Sequence, residues 1–297
     1  MQSAFDNHTV RGLSALERSE WSHLRSSHAA AVSRWTDDRI TRANRGEPHP
    51  VYDFLFTYYS FRPAHLVRWS PGADVVLHDA TALDLDWPDD FIETSQGWVI
   101  PSDSFPLHRQ SYLSWAIRYL EATQSRPASF CCFGLHEWAM VYQTPRLRHE
   151  QVALRLSREE ISSIVERGEL RCTHYDAYRF FTAEAAPLNR TRLTRQETSA
   201  HDQRGCIHVT MDLYRFAFKI APWCSSEIIR EAFLLAADAR TIDMRASPYD
   251  LRGYYLDPIL IETCAGREEY IEHQRRLAQL SAPIREKLLG IYQYLRR

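Results

Sequence analysis

The sequence predicts a mainly α fold: a single multi-helix domain with a small β-hairpin insertion. Several long segments repeat apolar residues at helical spacing, whereas only two short stretches have a residue pattern typical of strands. The chain has 297 residues and is 44% hydrophobic, and a single core rarely grows beyond about 250–300 residues. We therefore expect residues 1–47 to form an N-terminal helix and residues 48–297 a helical catalytic domain.

The helices are predicted from apolar periodicity and from start signals. The first is expected from about Ser14 to Asn44. Pro63 is placed to begin a second, and Ser157 with Glu160 forms a capping box that opens Ser157–Arg167. The remaining predicted helices are Leu107–Ala122, Ala128–Tyr142, Cys206–Ala221, Ser225–Arg245 and Arg267–Tyr294.

Three stretches lack a clear helical pattern. The β insertion is predicted near residues 74–101, with strands at Val75–Leu77 and Trp98–Ile100. The segment Arg171–Thr182 is compatible with either a helix or a strand. Leu188–Arg204 is a polar connection without apolar periodicity.

Composition excludes several classes of protein. The chain has 36 basic and 38 acidic residues, so no strong overall field attracts DNA, although local arginine patches could bind phosphate. No run of 18 apolar residues is present, and no membrane span is expected. The six cysteines form no CxxC pair, and the start, Met1–Glu20, is polar. These features predict a cytoplasmic protein without a disulfide framework or a thiolate zinc site.

Four segments are apolar on most sides yet carry a few ionisable residues. Charge is costly to bury unless it is paired or used, so such residues indicate a site. Four of them in one chain predict a shared cavity with aromatic walls. The segments are His49–Ser60, Phe130–Tyr142, Arg171–Phe181 and Cys206–Ala221.

The second and third segments contain the strongest catalytic candidates. His136 and Glu137 point about 100° apart on a helix, so one is expected to serve the ligand and the other a structural contact. In the third segment, His174 and Asp176 would share a face of a strand. On a helix, Asp176 would instead pair with Arg179.

The other polar patterns allow two interpretations each. Asp53, Thr57 and Ser60 form one polar line, unless Asp53 pairs with Arg62 or caps a helix. A narrow stripe at i, i+4, i+7 and i+11 faces either an internal cleft or solvent; its members are His208, Asp212, Arg215 and Lys219. The patch Asp238–Asp250 is interpreted as interhelical salt bridges.

The same segments resemble the recurrent blocks of a bacterial family commonly labelled 3-methyladenine DNA glycosylase. The stretches that carry the resemblance are HPVYDFLFTYYSFRP, CFGLHEWAMVY, RCTHYDAYRFFT and DARTIDMRASPYDL. The resemblance covers most of the chain from Pro48 onward. The Gly-rich hairpin of the helix-hairpin-helix glycosylases is absent from the sequence. No catalytic position is therefore carried over from that group.

The resemblance implies hydrolysis of the N-glycosidic bond of alkylated purines, without a cofactor, on DNA held by local arginine patches. Such enzymes hold a flipped base between aromatic faces, and a carboxylate activates water or stabilises oxocarbenium charge. We expect the catalytic residues to be Asp176, His174, Glu137 and His136. We expect the small planar substrate to contact Trp138, Tyr175, Tyr178, Arg179, Asp212, Arg215 and Lys219.

Two other enzyme classes remain open from the sequence. His174, Asp176 and His208 have the ligand types of a non-haem iron site. Alternatively, a cofactor-free hydrolase or transferase could act on a free nucleobase or nucleoside, which would agree with the net charge of −2.

Overall fold

A computed structural model describes residues 14–296, and the predicted fold class is confirmed: the protein is mainly helical with a small sheet. The part of the predicted N-terminal helix and of the polar start that falls in residues 1–13 lies outside the described residues. The helices are α1 (Arg18–Arg45), α2 (Phe54–Thr57), α3 (Pro63–Val67), α4 (Gln110–Ser125), α5 (Leu135–Ala139), α6 (Arg158–Arg167), α7 (Tyr175–Tyr178), α8 (Thr198–His201), α9 (Ile207–Lys219), α10 (Ser226–Arg245) and α11 (Cys264–Leu295).

Two predicted helix starts are confirmed. Pro63 is the first residue of α3. At α6 the Ser157 hydroxyl accepts a hydrogen bond from the Glu160 backbone N–H at 3.2 Å, and the Glu160 carboxylate accepts one from the Ser157 N–H at 2.9 Å. Each bond satisfies a backbone donor that has no partner within the helix itself.

The sheet contains four strands in the order β1-β2-β4-β3. Its strands are β1 (Ser14–Leu16), β2 (Val75–Leu77), β3 (Ile92–Thr94) and β4 (Gly97–Val99). The predicted strand at β2 is confirmed, and β4 begins one residue earlier than predicted. Gly97 is required at its position because its φ is +136° and a Cβ there would lie 2.2 Å from the Leu77 carbonyl oxygen.

The expected start of the first helix at Ser14 is wrong. Ser14–Leu16 pairs with β2 in parallel, and α1 begins only after Glu17, which forms a capping box with Glu20. The predicted helix Ala128–Tyr142 is also wrong over most of its length, since only α5 forms. Phe133 and Gly134 have φ angles of +50° and +73°, and such a break cannot be read from hydrophobic spacing.

The core is organised around α9 and α10, which pack against each other and against α11. Tyr214 of α9 and Phe233 of α10 meet with ring centroids 5.2 Å apart. Both helices are buried on most sides, and Asp212 of α9 and Arg240 and Asp243 of α10 are buried with them. Within residues 14–296, no helix is both long and apolar enough to cross a membrane.

Candidate active site

Ionisable residues from four helices meet beside one cavity of about 350 Å³, which we call the first cavity. Its charged and imidazole side chains come from α5, α7, α9, α10 and the loop before α6. They are Glu137, Asp176, His208, Arg240, Arg148 and His149. Phe54 and Tyr58, from the first sequence segment, and Phe180 form its aromatic wall. The four sequence segments therefore meet at one cavity, as predicted.

Arg240 is the buried cation of this wall. Its Nη1 donates to Glu137 Oε1 and to Asp243 Oδ2, each at 2.8 Å. Its guanidinium carbon also lies 4.4 Å from the centroid of the Phe54 ring. Burial opposes the charge of Arg240, but the Glu137 and Asp243 carboxylates outweigh it and raise the pKa of the guanidinium. Two carboxylates thus share one guanidinium, which leaves one negative charge in excess.

Three histidines pack together beside Asp243. His136 Nε2 lies 2.8 Å from Asp243 Oδ1, and the His136 ring meets the His208 ring edge-on at 4.5 Å. The His174 ring stacks on His208 with centroids 5.2 Å apart and an interplanar angle of 13°. His174 Nδ1 is in turn held 3.1 Å from Asp202 Oδ1.

The three histidines differ in charge because their surroundings differ. Burial disfavours charge on His136, but Asp243 outweighs it and raises the pKa of His136 well above its ordinary value. Asp202 raises the pKa of His174 against the same opposition from burial. Burial and the nearby His136 lower the pKa of His208 well below its ordinary value. His208 is therefore a neutral imidazole at pH 7.

Asp176 is half-buried and paired with two guanidiniums. Its carboxylate lies 3.0 Å from Arg179 and 3.2 Å from Arg215. Burial would raise the pKa of Asp176, but His174, Arg215 and Arg179 outweigh it and lower the pKa. Arg215 also lies 2.5 Å from Asp212, which is buried and whose pKa is raised mainly by burial. Asp176 is the ionised carboxylate at the cavity edge.

Asp176 also lines a second cavity, of about 440 Å³. The predicted binding residues Tyr175, Arg215 and Lys219 line this second cavity, together with Arg195. Among the described residues, Lys219 and Arg195 have no acidic ion-pair partner within 4.0 Å. The second cavity therefore has available positive charge, together with aromatic rings from Tyr112, Trp115 and Tyr175.

Two guanidiniums contact one aromatic ring in the wall of the first cavity. Arg148 and Arg179 lie 3.9 and 4.0 Å from the centroid of Phe180. Both distances are within the range of cation–π contacts. Phe180 therefore helps to hold the two arginines at the cavity wall.

Several predicted site residues lie outside the first cavity. Trp138 is 0% exposed, its indole N–H donates to the Ala246 carbonyl at 2.8 Å, and it lines neither cavity. Tyr178 packs against Phe181 with ring centroids 5.2 Å apart. His136, His174 and Asp212 are buried behind the cavity wall.

The predicted iron ligands do not converge. The His174 and His208 rings lie parallel, and Asp176 is occupied by Arg179 and Arg215. The ligand atoms that do lie within 4.8 Å of one another among residues 14–296 are those of His136, His208 and Asp243.

Sequence reasoning missed four important residues. Arg240 and Asp243 were interpreted as ordinary interhelical salt bridges, although their i, i+3 spacing on a buried helix was a usable signal. Arg148 and His149 follow no periodic pattern, and only the fold places them at the cavity. Asp53, whose role was open, pairs with Arg42 at 2.8 Å and lines neither cavity.

Neither a protein-family model, a curated protein nor a solved structure matches this chain.

Proposed function

We propose that this protein hydrolyses the N-glycosidic bond of an alkylated purine nucleotide, with the base bound in the first cavity. One observation carries the proposal: Glu137 and Asp176, on separate helices, line a single cavity of about 350 Å³ that also has aromatic walls. Cavities of about 300–1,000 Å³ suit small organic ligands. The resemblance of the sequence to 3-methyladenine DNA glycosylases supports the same substrate class.

The charges of the cavity suit a cationic base on an anionic backbone. An alkylated purine carries a positive charge, which Asp176, Glu137 and the face of Tyr58 would attract. Arg148 lines the same cavity and, among the described residues, has no acidic partner within 4.0 Å. Its guanidinium is therefore available to bind a phosphate oxygen.

The two carboxylates have different roles in the proposed reaction. As the C1′–N bond breaks, its electron pair moves to the base, which leaves neutral because alkylation made it cationic. The ionised Asp176 stabilises the positive charge that develops on the sugar. Water adds its oxygen to C1′, and its proton is accepted by Glu137.

The second cavity supports a DNA strand as the source of the nucleotide. It adjoins the first at Asp176 and offers Arg195, Arg215 and Lys219 beside aromatic rings. Basic side chains interleaved with aromatic rings are typical of grooves that hold single-stranded nucleic acid. A flipped nucleotide would place its base in the first cavity and its flanking phosphates along the second.

Release of 3-methyladenine from methylated DNA tests the proposal. Wild-type protein is expected to release the base, and Asp176→Asn to lower the rate by at least about 100-fold. The matched control is Asp238→Asn, because Asp238 is also a carboxylate paired with an arginine, Arg276, but lies on the surface. No release from methylated DNA or from methylated nucleosides, or full activity in Asp176→Asn, would contradict the proposal. Release from nucleosides alone would replace DNA by a free nucleoside as the substrate.

A further inference from the structure

We propose that His136, His208 and Asp243 bind a divalent transition-metal ion at the inner wall of the first cavity. The three side chains come from α5, α9 and α10, and their ligand atoms lie within 4.8 Å of one another. Two nitrogens and one carboxylate oxygen form a donor set that suits Fe²⁺, Mn²⁺, Co²⁺ or Zn²⁺. This set differs from the one expected from the sequence, with which it shares only His208.

Two buried atoms in this cluster approach each other without forming a hydrogen bond. His136 Nε2 and Asp243 Oδ1 are 2.8 Å apart, yet neither has a hydrogen-bond partner in the described part of the chain. Their side chains are 1% and 0% exposed, so water does not compensate for the missing bonds. Ligand atoms about 2.0 to 2.2 Å from one ion lie about 3 Å or more from each other, with their lone pairs directed at the ion, so this pair would separate slightly on binding.

The third ligand connects the cluster to the cavity. His208 Nε2 lies 4.0 Å from Asp243 Oδ2, and His208 lines the first cavity. Its imidazole thus links the buried carboxylate to the cavity lining. An ion held here would have an open coordination position on the cavity side.

Groups around the cluster orient its ligands as in known metal sites. Asp243 Oδ2 accepts from Arg240, and His136 Nδ1 lies 3.5 Å from Cys132 Sγ. His174 stacks on His208 and fixes the plane of its ring. Such outer contacts set the orientation and basicity of metal ligands.

Charge balance also favours a cation at this position. Glu137 and Asp243 share Arg240, and the excess negative charge sits in the core. A metal ion held by Asp243 would neutralise it. The ion binds whether or not the proposed function holds, but its use rests on that function, for which it would supply Lewis-acid activation of water while Glu137 accepts the proton.

Titration of chelator-treated protein with Co²⁺, without any substrate, tests the site. Wild-type protein is expected to bind one Co²⁺ per chain, detected by visible absorption and by calorimetry. His208→Asn is expected to weaken binding by at least about 100-fold. The matched control is His149→Gln, a histidine on the same cavity wall but outside the ligand set, which should bind Co²⁺ as wild type does.

Folding of each variant is followed by circular dichroism. The His208 side chain makes no hydrogen bond to the described residues, so His208→Asn removes a ligand without breaking a structural contact of that kind. Absence of Co²⁺ binding by the folded wild-type protein would overturn the proposal. Equal affinity of wild type and His208→Asn, or an equal loss in His149→Gln, would also overturn it. Co²⁺ binding without base release would support the metal site while contradicting the proposed function.

Discussion

At the scale of single residues, Arg240 shows how buried charge is stabilised in this protein. One nitrogen of its guanidinium donates to carboxylates from two helices, and its face covers the Phe54 ring. Each carboxylate was desolvated on folding, and this shared cation, together with His136 beside Asp243, offsets the cost. The arrangement also fixes Glu137 at the first cavity and Asp243 against His136.

Replacing Arg240 is expected to destabilise the fold strongly. Arg240→Met leaves Glu137 and Asp243 buried without their cation, which should lower the free energy of unfolding by about 3–5 kcal/mol. Arg276→Met is the control, because Arg276 pairs with Asp238 at the surface, where such pairs contribute about 0–1 kcal/mol. Urea denaturation measures both variants. Similar small losses in the two would show that the buried cluster does not depend on Arg240.

At the scale of secondary-structure elements, the sequence predicted long helices well and short ones poorly. The periodic apolar residues of α9, α10 and α11 require a buried helix face, and these helices lie close to their predicted positions. At the break, Gly134 has a φ of +73° and packs closely against the end of α10, since a Cβ on it would lie 3.1 Å from Ala246 Cβ. Spacing within one segment contains no information about such a contact.

The contact between α1 and α3 predicts a pH dependence of stability. His28 on α1 is 1% exposed, and its Nε2 lies 2.8 Å from the Leu66 carbonyl oxygen of α3. Burial lowers the pKa of His28 below its ordinary 6.5, so His28 stays neutral in the folded protein while it takes up a proton in the unfolded chain. Its contribution to stability is complete above pH 6.5 and is lost as the pH falls from 6.5 toward the lower folded-state pKa.

Comparison of His28→Gln with wild type checks this dependence. Between pH 6.5 and about pH 5, the free energy of unfolding of wild type should fall more steeply than that of the variant, by up to about 1.4 kcal/mol per pH unit. His23→Gln is the control, because His23 is on the same helix but exposed to water. Identical slopes for wild type and His28→Gln would contradict the assignment.

At the scale of the whole molecule, the site is assembled by the packing of helices that are distant in sequence. The idea that buried ionisable residues face a common cavity could be argued from composition, and Glu137, Asp176 and His208 do line one cavity. Which partner each residue takes could not be argued in full, because Asp202 and Arg148 come from segments without a distinguishing pattern. The fold also separates the predicted binding residues, since Tyr175, Arg215 and Lys219 line the second cavity.

Two threonines allow each cavity to be filled separately. Thr57 lines the first cavity and Thr198 the second; the Thr57 hydroxyl donates to the Asp53 carbonyl and the Thr198 hydroxyl to the Arg195 carbonyl. Tryptophan at either position adds a large side chain at the cavity wall without removing a charge. The pair therefore tests the location of the base independently of the catalytic residues.

The rates of base release by these two variants test directly whether the base binds in the first cavity. We expect Thr57→Trp to lower the rate by at least about 100-fold at an unchanged unfolding temperature, because the base no longer reaches Glu137 and Asp176. Thr198→Trp should release the base from methylated nucleosides as fast as wild type does. Full activity in Thr57→Trp, or loss of nucleoside cleavage confined to Thr198→Trp, would show that the first cavity is not where the base is bound.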